Sequence, residues 1–367
     1  MGLFFISFLI IYLLLHYYIF SRFVTVFRFE AGSYFIVLCI FLILACWGIL
    51  AEYFSNKTLT NGILRTFAGC GYIWFGVLSI TFFFFFITDI IHIFVRNNQF
   101  IYYSTLISCL LAVICSAYSV FNVMFREPVI KNIYLKVSNL TVEKLKIVQL
   151  SDIHIDSYTS YEEVKKIVKR TNDLNPDIVI LAGDILESRI GDEYRKYDLD
   201  KIKAKYGIFA VSGNHEYYMG IEEFYSFCGK IKANVIHNTN IIAGGIYIAG
   251  MPDTKSSKRF NSQPADIQKA LKNIDFTKPV VFLSHQPDSF SEVSKYPVSL
   301  QLSGHTHAGQ IPPFDLIEYV FFKYYYGLYK ENNSYLYVSS GTRWWGPPMR
   351  LFSKSEIVCI NLYREKA

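Results

Sequence analysis

The first 128 residues contain very little charge. They hold six of the 36 Lys and Arg residues and four of the 30 Asp and Glu residues, which leaves 30 and 26 for residues 129–367. Dense Lys/Arg blocks are also missing, and the formal net charge of +6 is a modest surplus over a mixed surface. This pattern is not that of a nucleic-acid-binding protein, so no nucleic-acid partner is expected.

Cysteine is scarce in the polar part of the chain. Five of the seven cysteines lie in the apolar N-terminal region, and only Cys228 and Cys359 come after it. Their spacing predicts neither a disulfide framework nor a Cys-based zinc site.

Long apolar segments occupy the N-terminal part instead. A helix needs about 20 mostly apolar residues to cross a bilayer core of about 30 Å, and residues 3–20, 34–54, 67–95 and 101–125 meet that test. The first segment has no basic leader and no small-residue cleavage pattern after it, so we interpret it as a retained span and not as a signal peptide. The sequence therefore predicts an all-α transmembrane region of four helices over residues 1–128.

The basic residues of the short loops predict the orientation of this region. With four spans, the polar domain and the loop between the second and third spans lie on the same side of the membrane. That side carries five basic residues and the other side carries three, so the positive-inside rule predicts a cytoplasmic polar domain. The two sets are Lys57, Arg65, Arg126, Lys131 and Lys136 on the domain side, and Arg22, Arg28 and Arg96 on the other.

A few ionisable side chains fall inside the predicted spans. Asp89 and His92 lie near the end of the third span, and His16 lies in the first. Such groups are functional candidates by default, but these lie too close to an interface or are too few to form a transport pathway. We interpret them as helix-packing or snorkelling residues.

The pattern changes after a linker and leading strand at residues 129–144. Short apolar runs now alternate with amphipathic helices, which is typical of an α/β sandwich domain over residues 145–367. Ser160 and Glu163 fit a capping box at the start of one helix, which Pro176 ends. The runs are residues 145–150, 178–182, 208–211, 246–249, 280–283 and 336–338.

Polar clusters follow these predicted strands directly. In open α/β sheets, ligands bind beyond the carboxyl ends of the strands, so residues far apart in sequence can converge there. Five of the eight histidines belong to these clusters. The clusters are Asp152-Ile153-His154, Gly183-Asp184, Gly213-Asn214-His215-Glu216, His285 and Gly304-His305-Thr306-His307.

Carboxylate, amide and imidazole donors of this kind suit a pair of divalent cations. Such a pair can activate a water and stabilise the oxygens at phosphorus during hydrolysis, and a donor set without thiolate suits manganese, iron or zinc. In an extended segment, residues two apart point to one face, so Asp152 with His154, and His305 with His307, are each expected to hold one site. The glycines before Asp184, Asn214 and His305 fit sharp turns and a close approach of the backbone to a ligand.

The five blocks, in this order, resemble the calcineurin-like metallophosphoesterases. The segments 150–154 (LSDIH), 283–288 (LSHQPD), 302–310 (LSGHTHAGQ) and 345–351 (WGPPMRL) resemble the YkuE/YaeI-like branch in particular. The resemblance covers residues 145–362 and implies a four-layer αββα metallophosphoesterase sandwich, here preceded by transmembrane helices.

The resemblance also implies a role for each motif residue. It implies two divalent metal ions, with manganese as first choice and iron or zinc as alternatives. It makes His215 the catalytic residue that stabilises or protonates the leaving oxygen, a role suited to a group that titrates near neutrality. Glu216 stands where many relatives have Asp, and we expect it to support the ligands. The metal ligands implied are Asp152, His154 and His307 for one ion, Asn214, His285 and His305 for the other, and Asp184 as the bridge.

These expectations combine into a membrane-anchored phosphoesterase. The bond hydrolysed would be a phosphodiester or pyrophosphate, and the related UDP-diacylglucosamine pyrophosphohydrolases point to a phospholipid or nucleotide-linked lipid as substrate. The location expected is a bacterial inner membrane. The alternative is a membrane-bound sensor or scaffold that binds a phosphorylated ligand at the same metals without turnover. Arg343, Trp344 and Trp345 can either line a substrate pocket or close the core, and the sequence leaves this open.

Overall fold

The computed structural model describes residues 2–55, 62–156 and 159–365. The chain divides into two compact units. The helical unit comprises Met1–Arg126, Gln310–Leu316 and Gly346–Phe352, and the sandwich unit comprises Glu127–Gly309, Ile317–Trp345 and Ser353–Ala367.

The helical unit is built on four long apolar helices. They are α1 (Gly2–Phe27), α2 (Ala31–Ser55), α3 (Gly62–Phe94) and α4 (Asn98–Met124). Within the described residues, these four are long and apolar enough to cross a membrane by length and composition. The prediction of four apolar N-terminal helices is confirmed.

Three ionisable side chains of these helices, Arg22, His16 and Asp89, contact residues of a neighbouring helix. Arg22 of α1 forms an ion pair with Asp89 of α3, and Tyr18 donates a hydrogen bond to the same carboxylate. His16 accepts a hydrogen bond from Trp74 Nε1 at 2.9 Å. These contacts agree with the helix-packing interpretation.

Two residues in the charge count behind the predicted orientation lie in helices and not in loops. Arg22 lies inside α1, which continues to Phe27, and Arg65 lies inside α3, which begins at Gly62. Lys57, on the same side of that count as Arg65, lies outside the described residues. The side of the membrane that the sandwich unit faces stays a prediction.

Two short segments far along the sequence belong to the helical unit. Ser79 of α3 donates a hydrogen bond to the Pro312 carbonyl at 2.8 Å, and Asn122 of α4 donates to the Arg350 carbonyl at 3.0 Å. Met349 is fully buried in an apolar cluster that includes Ile80. Both segments are therefore fixed by side chains of the apolar helices, and Gln310–Leu316 begins three residues after His307, the last residue of the Gly-His-Thr-His block.

The described residues of the sandwich unit form two six-stranded sheets. Both sheets mix parallel and antiparallel pairs. In spatial order, the first sheet contains β1 (Val129–Val137), β12 (Glu356–Arg364), β2 (Lys144–Leu150), β3 (Ile178–Ala182), β4 (Ile208–Val211) and β5 (Ala233–Val235). The second contains β10 (Gly327–Glu331), β11 (Ser334–Val338), β9 (Leu300–Ser303), β8 (Val280–Leu283), β7 (Ile246–Gly250) and β6 (Thr239–Ala243).

One apolar core lies between the sheets, and further clusters cover their outer faces. Ile147 and Ile180 of the first sheet share a cluster with Val281 and Leu302 of the second. Val164 of α5 belongs to a cluster that covers the first sheet from outside. The predicted αββα sandwich is confirmed. Its helices are α5 (Tyr161–Asp173), α6 (Asn214–Met219), α7 (Ile221–Lys230), α8 (Thr254–Arg259), α9 (Ile267–Ala270), α10 (Phe290–Val293) and α11 (Phe314–Phe321). The first three residues of α11 belong to the helical unit.

The predicted capping box at α5 is wrong in its side-chain contacts. Ser160 is the N-cap residue, but its side chain makes no capping hydrogen bond among the described residues. Glu163 instead forms an ion pair with Arg343, whose Nε lies 3.1 Å from the Glu163 carboxylate. A tertiary partner has replaced the local one.

Candidate metal centre

The polar clusters converge because their loops follow strands that are neighbours in the two sheets. The Asp152 N–H donates to the Gly183 carbonyl, and the His154 N–H donates to the Asp184 carbonyl, both at 3.0 Å. Asp152, His154 and Asp184 all have positive φ angles, between 48° and 53°. The chain therefore leaves β2 and β3 through left-handed turns, which are uncommon for residues other than glycine and typical of functional sites.

The first group of metal-binding side chains consists of Asp152, His154 and His307. All three are buried, and one donor atom from each lies within 4.8 Å of the others. His307 Nε2 lies 3.1 Å from His154 Nε2 and 3.5 Å from Asp152 Oδ1. A cation shared by these atoms would relieve the close approach of two imidazole nitrogens.

The second group consists of Asp184, His285 and His305, whose donor atoms again lie within 4.8 Å of one another. His285 Nε2 lies 3.0 Å from Asp184 Oδ2. His285 Nδ1 lies 2.9 Å from the Ala182 carbonyl, which can only accept a hydrogen bond, so Nδ1 carries the proton. In the neutral ring, Nε2 therefore keeps a lone pair that faces the centre.

Asp184 belongs to both neighbourhoods. Its Oδ2 atom lies 3.0 Å from His285 Nε2 in the second group and 3.8 Å from His154 Nε2 in the first. A carboxylate between two sets of donors has the placement that a bridging ligand requires.

The expectation that His305 and His307 hold one site together was wrong. His305 groups with His285, whereas His307 groups with Asp152. Their φ angles are 79° and 52°, so the segment is not extended and the two-residue alternation does not apply.

Asn214 is the first residue of α6 and is buried. Its Oδ1 atom and the Oδ2 atom of Asp152 are both inaccessible to solvent, and neither has a hydrogen-bond partner among the described residues. Buried polar oxygens are nearly always paired, so each such atom needs an explanation. Oxygen atoms of this kind are suitable ligands for a hard or borderline divalent cation.

The electrostatics of the centre favour positive charge. Burial alone would lower the pKa of His285, but the charges of Asp184 and Asp152 raise it to about 10. Burial and the charge of His285 together lower the pKa of His305 to about 3, so this ring stays neutral and able to ligate. The carboxylates thus hold cationic charge at the place where the donor atoms converge, and the residues present fit a pair of divalent metal ions.

Two glycines allow the loops to pass this close to the ligands. A Cβ atom at Gly213 would overlap the carboxylate of Asp184, and one at Gly304 would overlap the carboxylate of Asp152. Neither residue has a positive φ angle, so the requirement is for space and not for an unusual backbone conformation.

Glu216 supports the ligands through the backbone, as expected. Its fully buried carboxylate accepts hydrogen bonds from the N–H groups of Gly213, Asp184, Ile185 and Leu186, at 2.6 to 3.1 Å. One side chain therefore joins the loop that carries Asp184 to the turn that carries Asn214.

His215 lies beside both groups and contacts a residue that the sequence reasoning missed. Its Nδ1 atom lies 2.7 Å from Glu187 Oε2, and the same oxygen lies 2.7 Å from His154 Nδ1. Burial would raise the pKa of Glu187, but the charge of His215 and hydrogen bonds to both histidines lower it to about 2. The carboxylate is thus ionised and orients both rings. The only sequence signal was its position three residues after Asp184.

The opposite ring nitrogen of His215 points toward the centre. Its Nε2 atom lies 3.9 Å from Asp184 Oδ2. Burial would lower the pKa of His215, but Glu187 and Asp184 raise it to about 9. A ring nitrogen of His215 also lies within 4.8 Å of donor atoms of His154 and Asp184.

Arg343 is part of the buried structure and Trp345 is exposed, although only Trp344 lies between them. Arg343 is buried and donates through Nη1 to the carbonyls of Ile153 and His154 at 2.8 and 3.0 Å, so it fixes the Asp-x-His turn from behind. Trp344 stacks on its guanidinium, 4.5 Å from ring centroid to Cζ. Trp345 is exposed, and its ring centroid lies 5.5 Å from that of His215.

Comparisons with known proteins identify the class to which this centre belongs. Residues 145–309 match the family model described as calcineurin-like phosphoesterase. An uncharacterized metallophosphoesterase of Helicobacter pylori J99 is 38% identical over 240 residues, which are 64% of this chain and 64% of the relative. YkuE of Bacillus subtilis, also an uncharacterized metallophosphoesterase, is 31% identical over 59% of this chain and 78% of its own length.

The chain belongs to the calcineurin-like metallophosphoesterase family, and the resemblance seen in the sequence is confirmed. A zebrafish (Danio rerio) transmembrane protein with metallophosphoesterase domain is 29% identical over 273 residues, which are 70% of this chain and 62% of that protein. The match therefore spans less than two thirds of the length of this relative and of the Helicobacter protein.

Proposed function

We propose that this chain is a membrane-anchored, two-metal phosphoesterase that hydrolyses a phosphodiester or pyrophosphate bond in an amphiphilic substrate. The observation that carries the proposal is the pair of donor groups that meet at Asp184. Their six side chains are buried, except for the half-buried His305. Two cation sites that share one carboxylate suit in-line displacement at phosphorus.

Seven side chains would hold the metals. Asp152, His154 and His307 serve one ion, Asn214, His285 and His305 serve the other, and Asp184 serves both. Manganese is our first choice, and iron or zinc would accept the same donors. When bound, the pair of ions polarises the phosphoryl group and lowers the pKa of the attacking water.

The remaining steps belong to the protein's own residues. Glu187 holds the Nδ1 side of His215, which leaves the Nε2 proton directed at the centre. We propose that His215 gives this proton to the leaving oxygen, a contribution typically worth about 10²- to 10⁴-fold in rate. Glu216 and Arg343 keep the ligand-bearing turns in place through backbone hydrogen bonds.

Aromatic residues beside His215 support an amphiphilic leaving group. The exposed ring of Tyr218 lies 5.1 Å from His215 on one side, and exposed Trp345 lies 5.5 Å from it on another. Phe260 extends this surface, with its ring centroid 5.9 Å from that of Tyr218. A phospholipid or a nucleotide-linked lipid would place an apolar or planar group on such a surface. The four apolar helices would keep the enzyme in the membrane that contains this lipid.

The first experiment is hydrolysis of bis-p-nitrophenyl phosphate and p-nitrophenyl phosphate by detergent-purified protein. The protein is assayed without metal, with added manganese, and as the His215→Asn variant. We expect metal-dependent turnover that the variant loses while it keeps its metal content, and the diester-to-monoester ratio then narrows the substrate class. A broad panel of lipid phosphoesters follows, and efficient turnover of soluble diesters with none of the lipids would reject the amphiphilic substrate.

A second function is tested by the same assay. Bound metals without turnover of any substrate in either panel would favour the sensor or scaffold that binds a phosphorylated ligand. The intact ligand set and the presence of His215 favour catalysis.

A further inference from the structure

Helix α11 exposes its apolar residues and turns its two carboxylates toward the protein, which is the reverse of a helix on the surface of a water-soluble protein. Its exposed residues are apolar, and exposure rises along it to 69% for Tyr319, 76% for Val320 and 79% for Phe321. None of its eight residues is buried. Its two carboxylates, by contrast, each have an oxygen that solvent does not reach, Asp315 Oδ1 and Glu318 Oε2.

Helical geometry shows that the two carboxylates lie on one face of α11 and the apolar residues on the remaining faces. Asp315 and Glu318 are three apart, so they lie on the same side of the helix. The other six residues cover the rest of the circumference, and all six are large, apolar or aromatic, and exposed. In water the expected arrangement is the opposite, with the apolar side against the protein and the charges outside.

The pKa values of both carboxyl groups are raised, so each group stays protonated to a higher pH than in water. Burial, followed by the charge of Asp288, raises the pKa of Glu318 to about 7, although Lys255 opposes the shift. Burial also raises the pKa of Asp315. Protonated carboxyl groups are compatible with surroundings of low dielectric constant.

The chain reaches α11 directly from the apolar helical unit. Gln310–Leu316 is part of that unit, where Ser79 of α3 fixes the Pro312 carbonyl and Ile311 is buried beside Ile80. The exposed apolar surface of α11 is thus continuous in sequence with residues packed on a transmembrane helix. It also begins only seven residues after His307 of the metal centre.

We propose that α11 lies in the interfacial region of the lipid bilayer, with Tyr319, Val320 and Phe321 in contact with acyl chains. An amphipathic helix of this kind buries its apolar side by about 5 to 10 Å at the boundary of headgroups and acyl chains. The occupant of this surface is therefore lipid of the membrane that holds α1 to α4. The proposal stands whether or not the chain catalyses phosphoester hydrolysis.

Lipid contact can be measured by fluorescence quenching. A small fluorescent amino acid replaces Val320 in the full-length protein, which is placed in phosphatidylcholine nanodiscs with and without doxyl-labelled lipid. Val113 of α4, 66% exposed in a membrane span, is the positive control. Ile242 of β6, 50% exposed on the sandwich unit, is the matched negative control.

We expect doxyl lipid to reduce the emission at positions 320 and 113 by at least about twofold, and to leave position 242 nearly unchanged. Aqueous iodide should quench position 242 and spare position 320. The same label at Tyr319 provides a second readout if the first variant expresses poorly.

Two results would overturn the proposal. Quenching of position 320 by iodide, with no effect of doxyl lipid, would place α11 in water. Protection from both quenchers would mean that protein covers the helix, as in an interface with a second copy of this chain.

Discussion

Polar side chains differ between the helical unit and the metal centre in whether other side chains satisfy them. Asp89 of α3 has its carboxylate occupied by Arg22 and Tyr18, so the charge is neutralised within the protein. Asp152 and Asn214 each keep a buried oxygen without a hydrogen-bond partner among the described residues. An internally paired charge stabilises a structure, whereas converging unpaired donors need a ligand from outside. The comparison therefore separates a structural polar site from a binding site.

The largest expected effect comes from the residue that lies between the two donor groups. Asp184→Asn removes the negative charge that both sites share, so we expect both metals to be lost. Turnover should fall at least about a thousandfold, since the ions supply several kcal/mol of transition-state stabilisation. Metal content by inductively coupled plasma mass spectrometry is measured beside turnover. The His215→Asn variant is the control, and equal metal loss in the two would contradict the roles assigned.

Glu187→Gln should have a smaller effect, because Glu187 acts through the two histidines that it orients. We expect turnover to fall about 10- to 100-fold, the range typical of residues that orient metal ligands. Glu162→Gln is the matched control, since Glu162 is an exposed glutamate that forms an ion pair with Lys165 in its own helix. Steady-state kinetics at saturating manganese provide the measurement. Wild-type turnover in the Glu187 variant would mean that the contacts at 2.7 Å do not matter for catalysis.

The chemical character of the centre was readable in sequence, but its supporting residues were not. Asp152, His154 and His285 stand in blocks whose order and position after strands already implied a joint site. Glu187 has no such context, because a glutamate in a loop is ordinary until a structure places it between two rings. The pairing of His305 with His307 failed for a related reason, since left-handed φ angles at both residues depend on tertiary contacts.

In the fold, too, features set by the local sequence were predicted, whereas features set by contacts between distant residues were not. All six apolar runs chosen as strands lie in strands, because short, mainly hydrophobic segments of three to six residues suit a sheet that is covered on both faces. The strand β12 was missed, although it runs between β1 and β2 in the first sheet. Strand order of this kind depends on pairing between residues far apart in the chain, which sequence periodicity does not encode.

On the helical side of the comparison, removal of the charge at Asp89 should affect stability and spare the metals. Asp89→Asn leaves Arg22 without its counter-ion between α1 and α3, and we expect a loss of about 1 kcal/mol in stability, within the range measured for polar contacts between membrane helices. A double-mutant cycle with Arg22→Gln should return a coupling energy of similar size. Thermal unfolding in detergent and metal content are measured together. A loss of metal in Asp89→Asn would remove the distinction between the two regions.

The smallest expected effect concerns Glu318 of α11. This residue lies in an apolar helix, and it has a buried oxygen without a hydrogen-bond partner among the described residues. Its pKa is raised from 4.5 to about 7, first by burial and then by Asp288. The folded state therefore binds the proton more tightly than the unfolded chain, so its stability is full below pH 4.5 and falls as the pH rises through 7. Glu318→Gln should remove this loss and stabilise the protein at pH 8 by about 1 kcal/mol, after allowance for partial exposure of the side chain. Thermal unfolding at pH 5 and pH 8 tests this prediction, and Glu292→Gln, at an exposed glutamate, is the control. A gain in stability of equal size at both pH values would mean that ionisation of Glu318 is not the cause.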